Sequence, residues 1–324
     1  MKKTIVASAI AAVVAAPAAF ADVSVYGKAH MAMQQKDMGA GGTDVDSIAS
    51  RASRFGVKAS EDLGNGMKAF VKMEWGTDTL DGGSSQTVSL SSAGSGTATV
   101  TEQFTARDAT MGISGDFGTV AIGRMGGPHK GTLYAVGNVQ LADANGGADF
   151  AGGFDSKGGR VSNAIAYSNS FNGVDLTIAT VGNDTTDNYD DTAISLTTTV
   201  GGVKLSAANL NQSGTDDDIT IVGAKFGMGG LTVGVVYEEV DDATNDTDTM
   251  GVSASYAMGN NVLSLSASSR DFQTAGTADT DRMAVGFEHK LGKKTSIYAS
   301  YADVDTGTTS TSYDITSVGM IMSF

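Results

Sequence analysis

The chain of 324 residues contains no cysteine. That excludes disulfides, thiolate metal sites and a cysteine nucleophile. Proline is almost as scarce, with Pro17 and Pro128 the only two. Positive charge is in short supply: 21 Lys plus Arg face 36 Asp plus Glu, for a formal net charge of −15. Nucleic acid is therefore excluded as a partner, because backbone binding needs a basic face. Charged residues make up only 18% and apolar ones 41%, so the chain is neither disordered nor built of Glu- and Lys-rich helices. Beyond the leader, no run of about eighteen uncharged apolar residues could form a spanning helix. What abounds is glycine, at 43 residues. High glycine beside almost no proline needs an explanation.

Met1 to Ala21 reads as an address. Lys2 and Lys3 precede an uncharged, Ala-rich run from Ile5 to Phe20, and Ala19-Phe20-Ala21 sets small residues at −3 and −1 of a signal-peptidase site. The expectation is a cleaved signal peptide over 1–21 and one exported domain over 22–324.

The body alternates with period two. In Val23 to Gln34 the odd positions are Val23, Val25, Gly27, Ala29, Met31 and Met33, opposed by Ser24, Tyr26, Lys28, His30, Ala32 and Gln34. One face is apolar or small and the other polar, as in a strand between two environments. Met67 to Trp75 repeats the pattern, with Lys68, Phe70, Lys72 and Glu74 on its polar side. Similar segments fit at 53–60, 105–114, 119–124, 161–168, 174–181, 192–200, 203–210 and 218–226. Others follow at 231–238, 250–257, 262–270, 282–290, 295–302 and 313–324, which makes sixteen strands.

The connections come in two kinds, in turn. Seven are short and Gly- or Asn-containing, such as Asn172-Gly173 and Gly201-Gly202, supplying the positive φ that tight hairpins need. Between them lie longer polar segments at 35–52, 76–104, 125–160, 182–191, 211–217, 239–249, 271–281 and 303–312. Short turns on one side and long loops on the other make an up-and-down meander. The spacing suits membrane strands of roughly 9–11 residues. The expected fold is all-β: a transmembrane antiparallel barrel. A soluble β-sandwich also alternates. Against it stand single aromatics on the apolar faces (Trp75, Tyr237, Tyr256, Phe287), charged residues on the opposite faces, and an apolar last segment with Val318, Met320, Met322 and Phe324 on one side.

Several stretches resemble the Gram-negative general diffusion porins. Ser53-Arg54-Phe55-Gly56-Val57-Lys58 followed by Glu61-Asp62-Leu63-Gly64-Asn65-Gly66-Met67-Lys68-Ala69 is similar to their second strand, first periplasmic turn and third strand. Gly112 to Val120 with Gly123-Arg124 resembles the fourth and fifth strands, Tyr26-Gly27-Lys28 the first, and Val318-Gly319-Met320 with Phe324 the terminal assembly signal. The resemblance implies sixteen strands, a homotrimer in the outer membrane, and a third loop, Met125 to Arg160, folded into the pore. It also implies a constriction in which Lys28, Arg54, Arg107 and Arg160 on the wall face acids on that loop. Asp143 and Asp149 are the best loop candidates, although the family's Pro-Glu-Phe-Gly-Gly is replaced here by Ala144 to Phe150.

Parity supports Lys28, Arg54 and Arg160 as lumen residues. Arg107 shares parity with Ala109, Met111 and Ile113 instead, so a bulge is needed to turn it inward. The three histidines, His30, His129 and His289, are isolated, and no metalloprotease, nucleophile-elbow or P-loop motif is present. The reading is a passive water-filled channel for small hydrophilic solutes and ions, without cofactor, metal or catalysis. A solute-selective porin of the same fold, or a secreted β-protein or adhesin, are the alternatives. Loop acids such as Asp241, Asp242, Asp246 and Asp248 are solvated tips, or bridge through divalent cations to lipopolysaccharide phosphates.

Overall fold

The computed structural model describes residues 21–39, 42–78, 80, 84–91, 95–102, 104–137, 154, 159–182, 191–212, 217–242, 246–274, 276–308 and 311–324. The expected signal peptide, Asp143 and Asp149 lie outside the described residues. The chain opens with strands β1 (Ala21–Met38), β2 (Val45–Ser50), β3 (Arg54–Gly64) and β4 (Met67–Thr77). A separate hairpin, β5 (Ser84–Ser91) and β6 (Ser95–Glu102), precedes β7 (Phe104–Gly115) and β8 (Gly118–Gly126). Helix α1 (Pro128–Val136) follows, then β9 (Arg160–Phe171), β10 (Val174–Val181), β11 (Asp191–Val200), β12 (Val203–Gln212) and β13 (Asp217–Met228). The remainder is β14 (Leu231–Asp241), β15 (Thr247–Met258), β16 (Asn261–Phe272), β17 (Thr280–Lys290), β18 (Thr295–Asp305) and β19 (Tyr313–Ser323).

Seventeen of these strands form one antiparallel sheet that closes on itself. β1 pairs with β19 from Lys28↔Ser323 to Met38↔Tyr313, and with β3 from Ala21↔Glu61 to Lys28↔Arg54. β2 continues the line of β3 along β1, from Met31↔Ser50 to Lys36↔Val45. Counted as one wall strand, β2 and β3 bring the barrel to sixteen. Closure leaves no edge, and in lipid that is obligatory, since nothing there replaces a missing ladder partner. Prolines are excluded for the same reason; Pro128 sits at the first turn of α1, where no intrahelical N–H partner is lost.

The two faces sort as the alternation predicts. On β14, Val235 and Tyr237 are each 41% exposed, whereas Val236 is 2% and Glu238 0% exposed. The exposed apolar set faces lipid and the other face lines the interior. The short turns take positive φ: Gly64, Asn65 and Gly66 stand at +79°, +52° and +76°, which is why the first turn is a Gly-Asn-Gly. The seam carries the pair Gly27 and Phe324, which exchange backbone hydrogen bonds of 3.2 and 3.1 Å. The Phe324 ring occupies the space that a side chain on residue 27 would need.

The loop readings are revised in three places. The segment 35–52 is partly strand, because β1 runs to Met38 and β2 starts at Val45. The segment 76–104 holds the β5–β6 hairpin as a two-stranded sheet of its own. The segment 125–160 holds α1. At the end of β1 and in β2, above the lipid, both faces of the strand meet water, so period-two alternation fades although pairing continues. Among the described residues no helix is long and apolar enough to cross a membrane, which bears on helical spans only.

Candidate functional site: charges on the lumen wall

A cluster of charge stands on the interior face of β1, β3, β4, β7 and β9. Its centre is Glu74 on β4, with a side chain only 7% exposed. Arg107 Nε donates to Glu74 Oε1 at 2.6 Å, and Arg54 Nε and Arg160 Nη2 each lie 3.8 Å from the same oxygen. The Tyr26 hydroxyl donates to Oε2 at 3.1 Å. Asp108 is the second centre: it accepts from Lys72 Nζ at 2.5 Å and from Arg160 Nε at 2.8 Å. Glu74 and Asp108 are directly opposite in the β4–β7 register. Two facing carboxylates repel unless cations surround them, and here a lysine and three guanidiniums do so. Lys28 joins the group by register, opposite Arg54 across the β1–β3 pair.

Two irregularities aim these residues. Between Glu74↔Asp108 and Trp75↔Ala106 the β4–β7 register shifts, and Arg107 is the extra residue. A bulge of this kind turns two successive side chains to one face, so Arg107 joins Asp108 in the interior despite its parity. A second shift lies between Gly123↔Ala164 and Met125↔Val161, where Gly123 and Asn163 adopt φ of +121° and +55°. It stands immediately before Arg160 delivers its guanidinium to both acids.

The facing wall carries the start of the third loop. α1 leaves β8 and packs inside the barrel on β11 to β14. Leu133, Val136 and Phe154 form an apolar cluster with Ala208, Ile221 and Val236. Ser206 Oγ donates to Thr132 Oγ1 at 3.2 Å. His129 Nε2 lies 2.6 Å from Glu238 Oε2, both side chains being buried. Arg270 on β16 reaches the other oxygen, Oε1, at 3.5 Å and donates from Nε to Thr249 Oγ1 at 3.2 Å. The lumen therefore has cations on one wall and a packed helix on the other.

At the long-loop end the outward face bears carboxylates in directly opposed pairs. Asp218 faces Asp241, Glu239 faces Asp248, and Asp248 in turn faces Asp271. Asp281 faces Asp305, and Asp314 faces both Asp303 and Asp37. The Tyr237 hydroxyl donates to Asp248 at 2.6 Å from just below this rim.

A family model described as Gram-negative porin matches residues 7–309. The chain belongs to the Gram-negative porin family. Among curated proteins, a major outer membrane protein P.IB of Neisseria gonorrhoeae is 31% identical over 139 residues, covering 41% of this chain. That match spans 34% of the relative, about a third of its length. Among solved structures, an anion-selective porin from Comamonas acidovorans has a TM-score of 0.73 at 20% identity, covering 94% of this chain and 100% of that one. A Salmonella typhi OmpF complex with daunomycin gives 0.72 at 17% identity, with coverages of 93% and 97%. OmpTdeltaL8, a loop-deletion mutant of an outer membrane protein of Vibrio cholerae, gives 0.71 at 16%, with 94% and 99% covered. At these identities the structures establish the fold.

Of the wall residues expected in this porin, Arg54, Arg107 and Arg160 converge on Glu74, and Lys28 stands beside Arg54. Sequence reasoning placed Glu74 and Lys72 on the polar face of β4 without assigning them to the site. It missed Asp108, Glu238 and Arg270, and it treated His129 as isolated. The signal that would have found Asp108 is its place next to the parity-breaking Arg107.

Proposed function

We propose that this porin is an open, water-filled channel for passive passage of small hydrophilic solutes and ions across the Gram-negative outer membrane, general rather than solute-specific. One observation carries the reading: three guanidiniums held by two carboxylates on the lumen wall, opposite a loop helix inside the bore. The constriction consists of Lys28, Arg54, Arg107 and Arg160 with Lys72, Glu74 and Asp108, and Asp143 and Asp149 complete it from the loop. Fixed charges of both signs across a narrow gap orient water, so an apolar solute must disrupt ordered dipoles, whereas small polar solutes pass. Charged rings at a constriction also bias which ions pass. Family and fold point to a channel rather than an enzyme, and no step in this reading requires catalysis or a cofactor.

Around the channel we place a homotrimer and a signal peptide removed after Ala21; β1 begins at Ala21, beside the expected cut. We place lipopolysaccharide at the outward rim, where divalent cations between opposed carboxylates and lipid phosphates relieve the repulsion. Among the described residues interior aromatics are few, and Tyr26 is engaged with Glu74 and Tyr298 with His30 at 2.8 Å, which favours the general reading. Recording the purified protein in planar bilayers tests this. The expected result is ohmic conductance that rises with salt and enters in groups of three equal steps. A preparation folded as a barrel but silent in the bilayer would sink the channel.

A further inference from the structure

The third loop's helix has few means of holding itself in place. Nine residues are too few for a stable isolated helix. Its Ncap, Gly127, offers no side-chain cap, and no acid lies in its first turn. The wall supplies what is missing. Glu238 is fully buried, and its two oxygens are engaged separately, Oε2 by His129 in the first turn of α1 and Oε1 by Arg270 of β16. A buried carboxylate is tolerated only while its partners stay in register, and a negative group also suits a helix N-terminus. The other end of α1 rests on an absence: Val136 Cγ2 would stand 2.6 Å from a Cβ on Gly223. Both contacts press α1 against the wall facing the cationic cluster, so they set how far the loop intrudes into the bore.

We propose that Glu238, held by Arg270, is a latch that positions α1 through His129 and thereby fixes the width of the channel. Solute does not touch it; it acts through the loop. The proposal rests on the channel reading above and adds to it what determines the aperture.

The test uses the full chain in planar bilayers and sugar-loaded liposomes, comparing wild type with Glu238→Leu, His129→Leu, His129→Gln and Gly223→Val. Glu238→Leu removes the latch, and Gly223→Val crowds Val136 of the same helix together with the Val235 carbonyl of the wall. Both are expected to change single-channel conductance at least twofold, with flicker between substates and a raised size limit for sugars. The zero-current potential in a salt gradient should move less than when Arg54 and Arg160 are neutralised. His129→Gln, which keeps a donor, should lie closer to wild type than His129→Leu. A purely structural role would reduce the folded yield and leave each surviving channel with wild-type conductance; that result overturns the latch. A Gly223→Val effect with an unaltered Glu238→Leu channel overturns it too. Where Glu238→Leu yields no folded barrel, His129→Leu decides by the same criterion. Wild-type protein without conductance steps defeats the channel reading itself, whereas conducting wild type with indistinguishable variants defeats only the latch.

Discussion

Glu74 accepts a 2.6 Å hydrogen bond from Arg107, a residue that strand alternation alone would have turned toward lipid. The bulge that permits the bond places a wall carboxylate at the focus of three guanidiniums. Replacing Glu74 with Gln keeps the shape and removes the negative charge, leaving the arginines to repel one another and attract anions. The zero-current potential in a tenfold salt gradient is expected to move in the anion direction, by a measurable fraction of the ~59 mV that a tenfold ratio of a monovalent ion represents. An unchanged potential would remove Glu74 from the conduction path.

Neutralising Arg54 and Arg160 together has the opposite sign. Both guanidiniums lie on the lumen wall, and their loss leaves Glu74 and Asp108 with fewer counter-charges. Arg54→Gln/Arg160→Gln is expected to shift the same potential toward cations. A reversal potential equal to wild type, with the folded barrel verified, refutes the assignment of this pair.

The seam makes a prediction about assembly. Gly27 and Phe324 exchange two backbone hydrogen bonds, each worth about 1 kcal/mol net in water and more where no water can substitute. Gly27→Leu should displace the Phe324 ring from its seat. Heat-modifiable mobility in gels measures the folded fraction, which should fall severalfold for Gly27→Leu and for deletion of Phe324. Full-length variants that fold in wild-type yield would show that this contact is dispensable.

Opposed carboxylates on the outward rim predict a dependence on divalent cations. The facing pairs Asp281/Asp305 and Asp303/Asp314 repel in the absence of a counter-ion. In membranes containing lipopolysaccharide, chelation with EDTA should lower the melting temperature of the barrel, and Mg²⁺ should restore it. Asp303→Asn/Asp314→Asn should blunt that response. Equal melting with and without chelator would rule out cation bridging at this rim.

Where two environments differ, the amino-acid pattern reports the structure directly. Val235 and Tyr237 against Val236 and Glu238 reveal β14 because lipid and lumen impose opposite demands on alternate residues. The tight turns were legible as well, since Gly64-Asn65-Gly66 needs backbone angles that few residues adopt. The end of β1 and β2 were not, because two wet faces leave no contrast, and the β5–β6 hairpin was read as loop. Within the site, Arg54 follows from parity, whereas Arg107 depends on an extra residue in the ladder that parity cannot count. The His129–Glu238 contact joins positions 109 residues apart because the loop folds back on the wall, and Arg270 joins from 32 residues further on, so no local spacing announces it.

Closing β1 onto β19 also governs how the molecule must form. Every other pair of neighbouring wall strands is close in sequence, but Met31 meets Met320 across nearly the whole chain. Loop-closure entropy grows with separation, and contacts of such high order are slow. Seam closure is therefore expected to be the slow event, with two ladders open until it occurs. Open ladders are templates for pairing with other chains, so aggregation is expected to compete chiefly before closure. A mutation at the seam should then act chiefly on the folding rate, leaving the closed barrel slow to unfold once it has formed.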